Sequence, residues 1–265
     1  MAKTYKRILF LTGAGISAES GLATFRSENG LWNNHRVEDV ATIEAYYRNQ
    51  DYVHDFYNNM KPELWNAKPN AGHLAITRLQ QEYPGEVHII TQNIDTLHEK
   101  AKNKNVIHIH GQINQAVCMN CGHVLETWGD VTSETVCENC HIMGMMKPNI
   151  VFFGENLLYM DKVERLLSTS DLFVSVGTSG VVYPAAGFVQ TAKYYGADTL
   201  EFNLEPTSNN FYFDRHIMGK AGDTLPQFVS ELLEMPRISK SFCIKAGENI
   251  FFSDISFNLP QLSAA

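Results

Sequence analysis

Two C-x2-C knuckles, Cys118/Cys121 and Cys137/Cys140, stand fifteen residues apart in a chain of 265 residues. Each knuckle lets a tight turn aim two thiolates at one tetrahedral ion, and two such turns close a four-thiolate site of the kind zinc fills in structural roles. Such a site leaves no coordination position for water, so one Zn2+ is expected to hold structure and to take no part in chemistry. A disulfide framework is not expected. The sequence shows no charged-then-apolar leader with a small-residue cleavage site, which points to a reducing compartment, the cytoplasm, where thiols survive. Cys243, outside the knuckles, reads as an ordinary buried or partly buried thiol.

The net charge of −8 argues against a nucleic-acid surface, because phosphate binding draws most of its affinity from clustered Lys and Arg. Glu126, Asp130, Glu134 and Glu138 around the knuckles argue against it locally. A basic partner, such as a lysine-bearing protein, suits this charge. No apolar run approaches the roughly 20 residues that span a bilayer, so membrane insertion is not expected. A monomer is.

Apolar β-type runs at Arg7 to Thr12, Val87 to Thr91, Val106 to His108, Leu172 to Val176 and Thr199 to Asn203 are each followed by a loop or a helical pattern. Strands alternating with helices imply an α/β fold with a parallel sheet covered on both faces. Two stretches break the alternation. Residues 32–68 carry aromatics at mixed helical spacing (Tyr46, Tyr47, Tyr52, Phe56, Tyr57), and residues 112–146 carry the knuckles. Together they read as a small inserted domain, helical segment plus zinc module. The sheet domain then comprises 1–31, 69–111 and 147–236, with a ligand cleft where the two meet. The tail, 237–265, is apolar enough to dock.

Gly13 permits a tight turn after the first strand and Gly15 lets the backbone approach a phosphate, while the helix that follows offers free N–H groups. The loop departs from the dehydrogenase pattern, because its continuation is Thr24, Phe25, Arg26, Ser27. Arg26 can pair with pyrophosphate oxygens and Phe25 offers an aromatic face. Thr91, Gln92, Asn93, Ile94 and Asp95 sit at a strand's carboxyl end, where an open α/β sheet binds its ligand. Gln92 and Asn93 can orient ribose hydroxyls or a water, and Asp95 can accept from an amide; the structural alternative is an Asx-type turn. Period-two alternation puts His108 and His110 on one side of a strand. Histidine serves as a general base near neutral pH. His110 carries more weight, because Gly111 follows it where a cleft should open.

GAGISAESGLATFR from Gly13 to Arg26, TQNIDTLHE from Thr91 to Glu99, HG at His110 and Gly111, the two knuckles, FFGE from Phe152 to Glu155, VGTSGVVYPAA from Val176 to Ala186 and NLE from Asn203 to Glu205 together resemble the sirtuins, of the bacterial, class III type. The resemblance spans about Arg7 to Leu233. It implies a Rossmann-like domain joined to a zinc-bearing small domain, and removal of acyl groups from protein lysines with NAD as co-substrate, giving nicotinamide and O-acyl-ADP-ribose. It implies an NAD site of Gly13, Ala14, Gly15, Phe25, Arg26, Gln92, Gly177, Thr178, Ser179, Asn203, Glu205 and Ala221. Asn93 and Asp95 would lie near nicotinamide, and His110 would be the base. Val151, Phe152, Phe153, Gly154, Glu155 and Val181 would receive an extended substrate peptide as an added strand. Mono-ADP-ribosyl transfer and a catalytically silent NAD-sensing scaffold are the alternatives; His110, Asn93 and Asp95 together argue against the second.

One departure bears on substrate. Sirtuins that remove succinyl or malonyl groups carry Tyr-x-x-Arg in the helical insertion, and here the run is Tyr57, Asn58, Asn59, Met60. A buried acyl carboxylate without a guanidinium partner faces a desolvation cost of several kcal/mol, so acetyl and other neutral acyl groups are expected to be preferred unless Lys61 or Arg48 substitutes.

Overall fold

The computed structural model describes residues 4–24 and 31–234, so Phe25, Arg26, Cys243 and the tail lie outside the described residues. Those described fall in one compact unit. Its strands are β1 (Arg7–Thr12), β2 (Leu31–Trp32), β3 (His35–Arg36), β4 (Glu86–Thr91), β5 (Val106–His108), β6 (Gly111–Cys118), β7 (Val124–Glu126), β8 (Met146–Ile150), β9 (Leu172–Val176), β10 (Asp198–Asn203) and β11 (Arg215–Met218). Its helices are α1 (Ala14–Ser17), α2 (Val37–Val40), α3 (Ile43–Arg48), α4 (Gln50–Asn66), α5 (Ala71–Glu82), α6 (Leu97–Lys100), α7 (Met160–Thr169), α8 (Phe188–Tyr194) and α9 (Ala221–Glu234). No helix of the described residues is long and apolar enough to cross a membrane.

A six-stranded parallel sheet runs in the order β11-β10-β9-β1-β4-β5. Alternation along β1 explains why both faces are covered. Ile8 and Phe10 pack with Ile76 and Leu79 of α5 and with Leu225 and Val229 of α9. Leu9 and Leu11 pack on the other face with Val163 and Leu167 of α7 and with Phe188 and Val189 of α8. From β1 the chain steps outward through β4 and β5, then returns to β9 and steps the other way. The order therefore reverses between β1 and β9, which opens a crevice at their carboxyl ends.

Residues 32–68 form the expected helices α2, α3 and α4, preceded by a short antiparallel hairpin of β2 and β3 that the aromatic spacing did not reveal. They share an apolar core with Phe152 and Ile150. The knuckle region forms a separate three-stranded antiparallel sheet, β7-β6-β8. Its own core is Ala116, Cys118, Val131, Cys137 and Met146.

Candidate active site

Close backbone packing builds the switch-point crevice. Gly13 N–H donates to the Val176 carbonyl at 3.0 Å and Gly15 N–H to the Gly177 carbonyl at 2.9 Å. A β-carbon on Gly15 would stand 2.6 Å from the Gly177 α-carbon, so glycine is what lets the loops after β1 and β9 touch. Beside them Asn203, at the end of β10, donates from Nδ2 to the Thr178 carbonyl at 2.7 Å. Glu19 accepts the Gly222 N–H at 2.7 Å, tying the first loop to the start of α9.

The turn after β4 meets α1 through one buried serine. Asn93 Nδ2 donates to the Gly13 carbonyl and to Ser17 Oγ, both at 3.1 Å, and the Ser17 hydroxyl donates to Asp95 Oδ2 at 2.9 Å. Asp95 Oδ1 also accepts the Leu97 N–H at 2.9 Å. The Asx-type turn is thus present, and Ser17, Asn93 and Asp95 also line a cavity. Ser17 was not singled out from the sequence, because a serine in the first turn of a helix has many ordinary uses.

The two histidines part company. β5 stops at His108 and His110 lies two residues beyond it, yet both rings reach the turn after β4 while Ile107 and Ile109 pack together elsewhere, in the core with Leu9 and Leu11. His108 is buried; its Nδ1 donates to the Asn93 carbonyl at 3.0 Å and its Nε2 lies 2.9 Å from a Glu99 carboxylate oxygen. His110 lines the cavity, and its Nδ1 donates to the Gln92 carbonyl at 2.9 Å. That bond leaves Nε2 as the basic nitrogen of the neutral ring. Burial holds His110 below its ordinary value of about 6.5, with the Gln92 bond opposing, so the ring stays neutral at physiological pH. Gly111 next to it has φ +79, a left-handed conformation that starts β6 with the backbone close to Asn149.

One cavity of about 1040 Å3 joins these groups. Its wall includes Gly13, Ala14, Gly15, Gln92, Asn93, Asp95, His110, Gly177, Thr178, Ser179, Asn203 and Ala221 from the expected nucleotide set, and Tyr57, Met60, Val151, Phe152, Phe153, Gly154 and Glu155 from the expected substrate set. Glu205 and Val181 do not line it: both are exposed, one past the end of β10 and the other in the loop after β9, where Val182 and Tyr183 line instead. Sequence reasoning also passed over Leu22, Trp32, Glu63, Leu64 and Lys220. Of these, Leu64 carries a usable signal, since Tyr57, Met60 and Leu64 follow the i, i+3, i+7 spacing of one helix face.

At the α4 end, Phe152 stacks on Tyr57 with ring centroids 5.7 Å apart. Behind Phe152 the buried Lys147 amine sits 4.2 Å from its ring centroid and pairs at 2.9 Å with Glu155, whose carboxylate also accepts the Phe152 N–H. Neither proposed substitute cation lines the cavity. Lys61 donates to the Gly129 carbonyl and Arg48 pairs with Asp39 at 2.8 Å.

The four knuckle sulfurs lie within 4.8 Å of one another, with Cys118–Cys140 at 3.6 Å and Cys121–Cys137 at 3.7 Å. A tetrahedral ion with metal–sulfur bonds of about 2.3 Å sets its sulfurs about 3.8 Å apart, so the thiol set fits Zn2+.

A doubly wound sheet with a glycine-lined crevice at its switch point, carrying a four-thiolate module, defines a nucleotide-type α/β protein with a structural metal centre. The Sir2 family model matches residues 13–184. The chain is 51% identical over 231 residues to an NAD-dependent protein deacylase of Vibrio vulnificus, spanning 86% of this chain and 94% of the relative. It is 49% identical over 237 residues to the NAD-dependent protein deacylase SIR2rp3 of Leishmania major, spanning 88% and 98%. Among solved structures, a Sir2 homologue in complex with NAD is 34% identical with a TM-score of 0.79, covering 86% of this chain and 90% of that one. Sir2Af2 bound to a myristoylated histone peptide is 33% identical with a TM-score of 0.66, covering 86% and 91%. The chain belongs to the Sir2 family.

Proposed function

We propose that this chain is an NAD-dependent protein-lysine deacylase preferring acetyl or other neutral acyl groups. The reaction consumes NAD, acyl-lysine and water and yields nicotinamide, lysine and O-acyl-ADP-ribose. The observation that carries this reading is one cavity lined by the Gly13–Ser17 loop, by Tyr57 and Met60, and by His110, which bonds Gln92 through its ring and Val151 through its carbonyl.

The residues fit NAD as co-substrate, which supplies an electrophilic ribose carbon and a leaving nicotinamide. Ala14, Gly15, Gln92, Thr178, Ser179 and Asn203 hold the nucleotide, and the glycine contact between the β1 and β9 loops lets it approach the backbone. Asn93, Ser17 and Asp95 brace one another at the nicotinamide end. Orientation contributes most there, because a carbonyl oxygen is a poor nucleophile until it is held in line with the carbon it attacks. His110 takes a ribose hydroxyl proton at Nε2, the nitrogen that its bond to Gln92 leaves free to accept. The Phe152–Glu155 segment is braced from one side, since Phe153 exchanges backbone bonds with Ala41 and Ile43. The acyl-lysine peptide adds as a strand between it and the Gly177–Val181 loop, with Val181 and Glu205 acting from outside the cavity.

The preference for neutral acyl groups follows from the wall. Among the described residues near Tyr57 the charged groups lining the cavity are Glu63 and Glu155, with Glu155 already neutralised by Lys147. An acyl carboxylate entering there meets these carboxylates, and among the described residues Lys61 and Arg48 are engaged elsewhere.

Residues 32–68 and 112–146 act as a small domain on the sheet domain, the four thiolates holding a structural Zn2+ that faces no substrate. We place the protein in the cytoplasm, where those thiols stay reduced, acting as a monomer on acyl-lysine proteins and not on nucleic acid. Incubation with NAD and a panel of acyl-lysine peptides should release nicotinamide and free lysine peptide together, fastest with neutral acyl groups. No nicotinamide release with any acyl peptide would sink the reading, and ADP-ribosylated peptide in place of deacylated peptide would redirect it.

A further inference from the structure

Helix α4 carries two parallel rows of side chains, and only one of them faces the cavity. Tyr57, Met60 and Leu64 form the cavity wall. One residue further on in each case, Asn58, Lys61 and Trp65 all reach a single loop, residues 128–131, which lies between the two cysteine knuckles. The Asn58 amide closes a two-point bond with one residue of that loop: Nδ2 donates to the Val131 carbonyl at 2.9 Å and Oδ1 accepts the Val131 N–H at 3.1 Å. The Lys61 amine donates to the Gly129 carbonyl. Trp65 packs on Trp128 with ring centroids 4.7 Å apart. Val131 is also a core residue of the four-cysteine module, buried among Cys118, Cys137 and Met146.

The helix backbone fixes the two rows relative to each other, although Pro62 lies between them along the chain and removes the rung that would end on the Asn58 carbonyl, so the side-chain bonds of Asn58 take a larger share in holding this turn. What holds one row therefore sets the depth and rotation of the other. The same contacts keep Lys61, the cation next to Met60, directed at the loop. Building on the deacylase reading, we propose that Asn58 is a positioning residue for the acyl end of the cavity: through its two-point bond to Val131, the loop between the knuckles sets where Tyr57 and Met60 stand, and with them the acyl preference. The nucleotide end is built mainly on the loops after β1, β4, β9 and β10, and Asn58, Lys61 and Trp65 do not line the cavity; α4 meets that side at its C-terminal carbonyls, where Lys100 of α6 donates to Leu64, Trp65 and Ala67.

The test compares full-length, zinc-loaded wild type, Asn58→Ala, Asn58→Asp and Trp128→Ala in steady-state kinetics, with NAD and acyl peptide varied separately and zinc content measured alongside. Losing two hydrogen bonds in Asn58→Ala should raise the KM for acetyl-lysine peptide by about fivefold or more while the KM for NAD stays within about twofold. The relative rates on acetyl and bulkier neutral acyl peptides should shift with it. Asn58→Asp keeps the acceptor for the Val131 N–H but sets its second carboxylate oxygen against the Val131 carbonyl, so it should lose at least as much as Asn58→Ala. Trp128→Ala alters only the exposed far end of the seam and should fold if Asn58→Ala does not, with a smaller shift of the same kind. A lowered melting temperature with both KM values unchanged, or both rising together, would overturn the proposal. A wild type that turns over no acyl peptide overturns the deacylase reading instead, and this inference with it.

Discussion

The two ends of the cavity are made of different material. The nucleotide end is mostly backbone: glycines at 13, 15 and 177 in mutual contact, and amide side chains whose hydrogen bonds go to neighbouring carbonyls. The acyl end is one face of one helix, with Tyr57, Met60 and Leu64 packed against Phe152 and Trp32. Backbone walls admit no extra volume and are fixed by the sheet, whereas a helix face can change chemistry one side chain at a time and depends on whatever holds the helix. The first end is therefore expected to fail abruptly when altered, and the second to be tunable.

The largest effect should come from breaking the support of the acyl end alone. Structural zinc in small peptides contributes about 10–16 kcal/mol at neutral pH, so Cys137→Ser should empty the module of zinc and release the loop that holds α4. Metal analysis should find one zinc per wild-type chain and none in the variant, and the acyl-peptide KM should rise far more than the NAD affinity falls. Well-folded, active wild type without zinc would remove the metal from the account, and equal loss at both ends would dissolve the contrast.

The next effect falls on His110, which lines the same cavity. His110→Ala should fold, keep its zinc and bind NAD, yet lose deacylation by about 10²-fold or more, the usual scale for a general base. The sign of the pH dependence follows from burial, which disfavours the imidazolium and holds His110 below its ordinary value. The neutral, competent form then persists as pH falls through the range in which a free histidine would protonate. In wild type the acid limb of kcat/KM should lie below about pH 6.5, and it should vanish from the residual activity of the variant. Near wild-type turnover in His110→Ala would take His110 out of the mechanism.

These contrasts also explain what could be read in the chain before its fold was known. Backbone-made features leave strict sequence marks: the glycines of the first loop, the polar run from Thr91 to Asp95, and Gly111 after His110 all pointed to the crevice, because few residue types satisfy those conformations. The knuckles were legible for the same reason, their spacing being set by tight turns. Side-chain-made features were not. Ser17 became visible only when α1 met the turn after β4, and the bond between Asn58 and Val131 joins residues 73 apart through a backbone group that carries no residue identity. Glu63 lines the acyl end although nothing in its neighbourhood marks it as more than a solvated helix charge. The alternation that paired His108 with His110 could not tell that only His110 lines the cavity, because β5 ends at His108 and strand ends are set by what pairs alongside.

The smallest effect, and the sharpest probe of tunability, is at Met60. Its side chain is buried beside Tyr57 in the cavity wall, and the cations nearest along the chain, Lys61 and Arg48, are engaged elsewhere. Wild type should process acetyl-lysine or another neutral acyl-lysine better than succinyl-lysine, because a thioether offers an adaptable apolar wall and no charge partner. Met60→Arg should raise the relative activity on succinyl-lysine by about tenfold or more, since a charge-assisted hydrogen bond contributes on the order of 1.5–3 kcal/mol. Glu63 tempers the gain, because it lines the same wall and competes for the new guanidinium. Met60→Arg combined with Glu63→Gln should exceed the single substitution, while the KM for NAD stays put in both. Competing the two peptides at equal concentration measures this without knowledge of any natural target. If wild type already prefers the succinyl peptide, then a cation other than Lys61 and Arg48 reaches the acyl end beside Tyr57, and that end is not the neutral, tunable surface described.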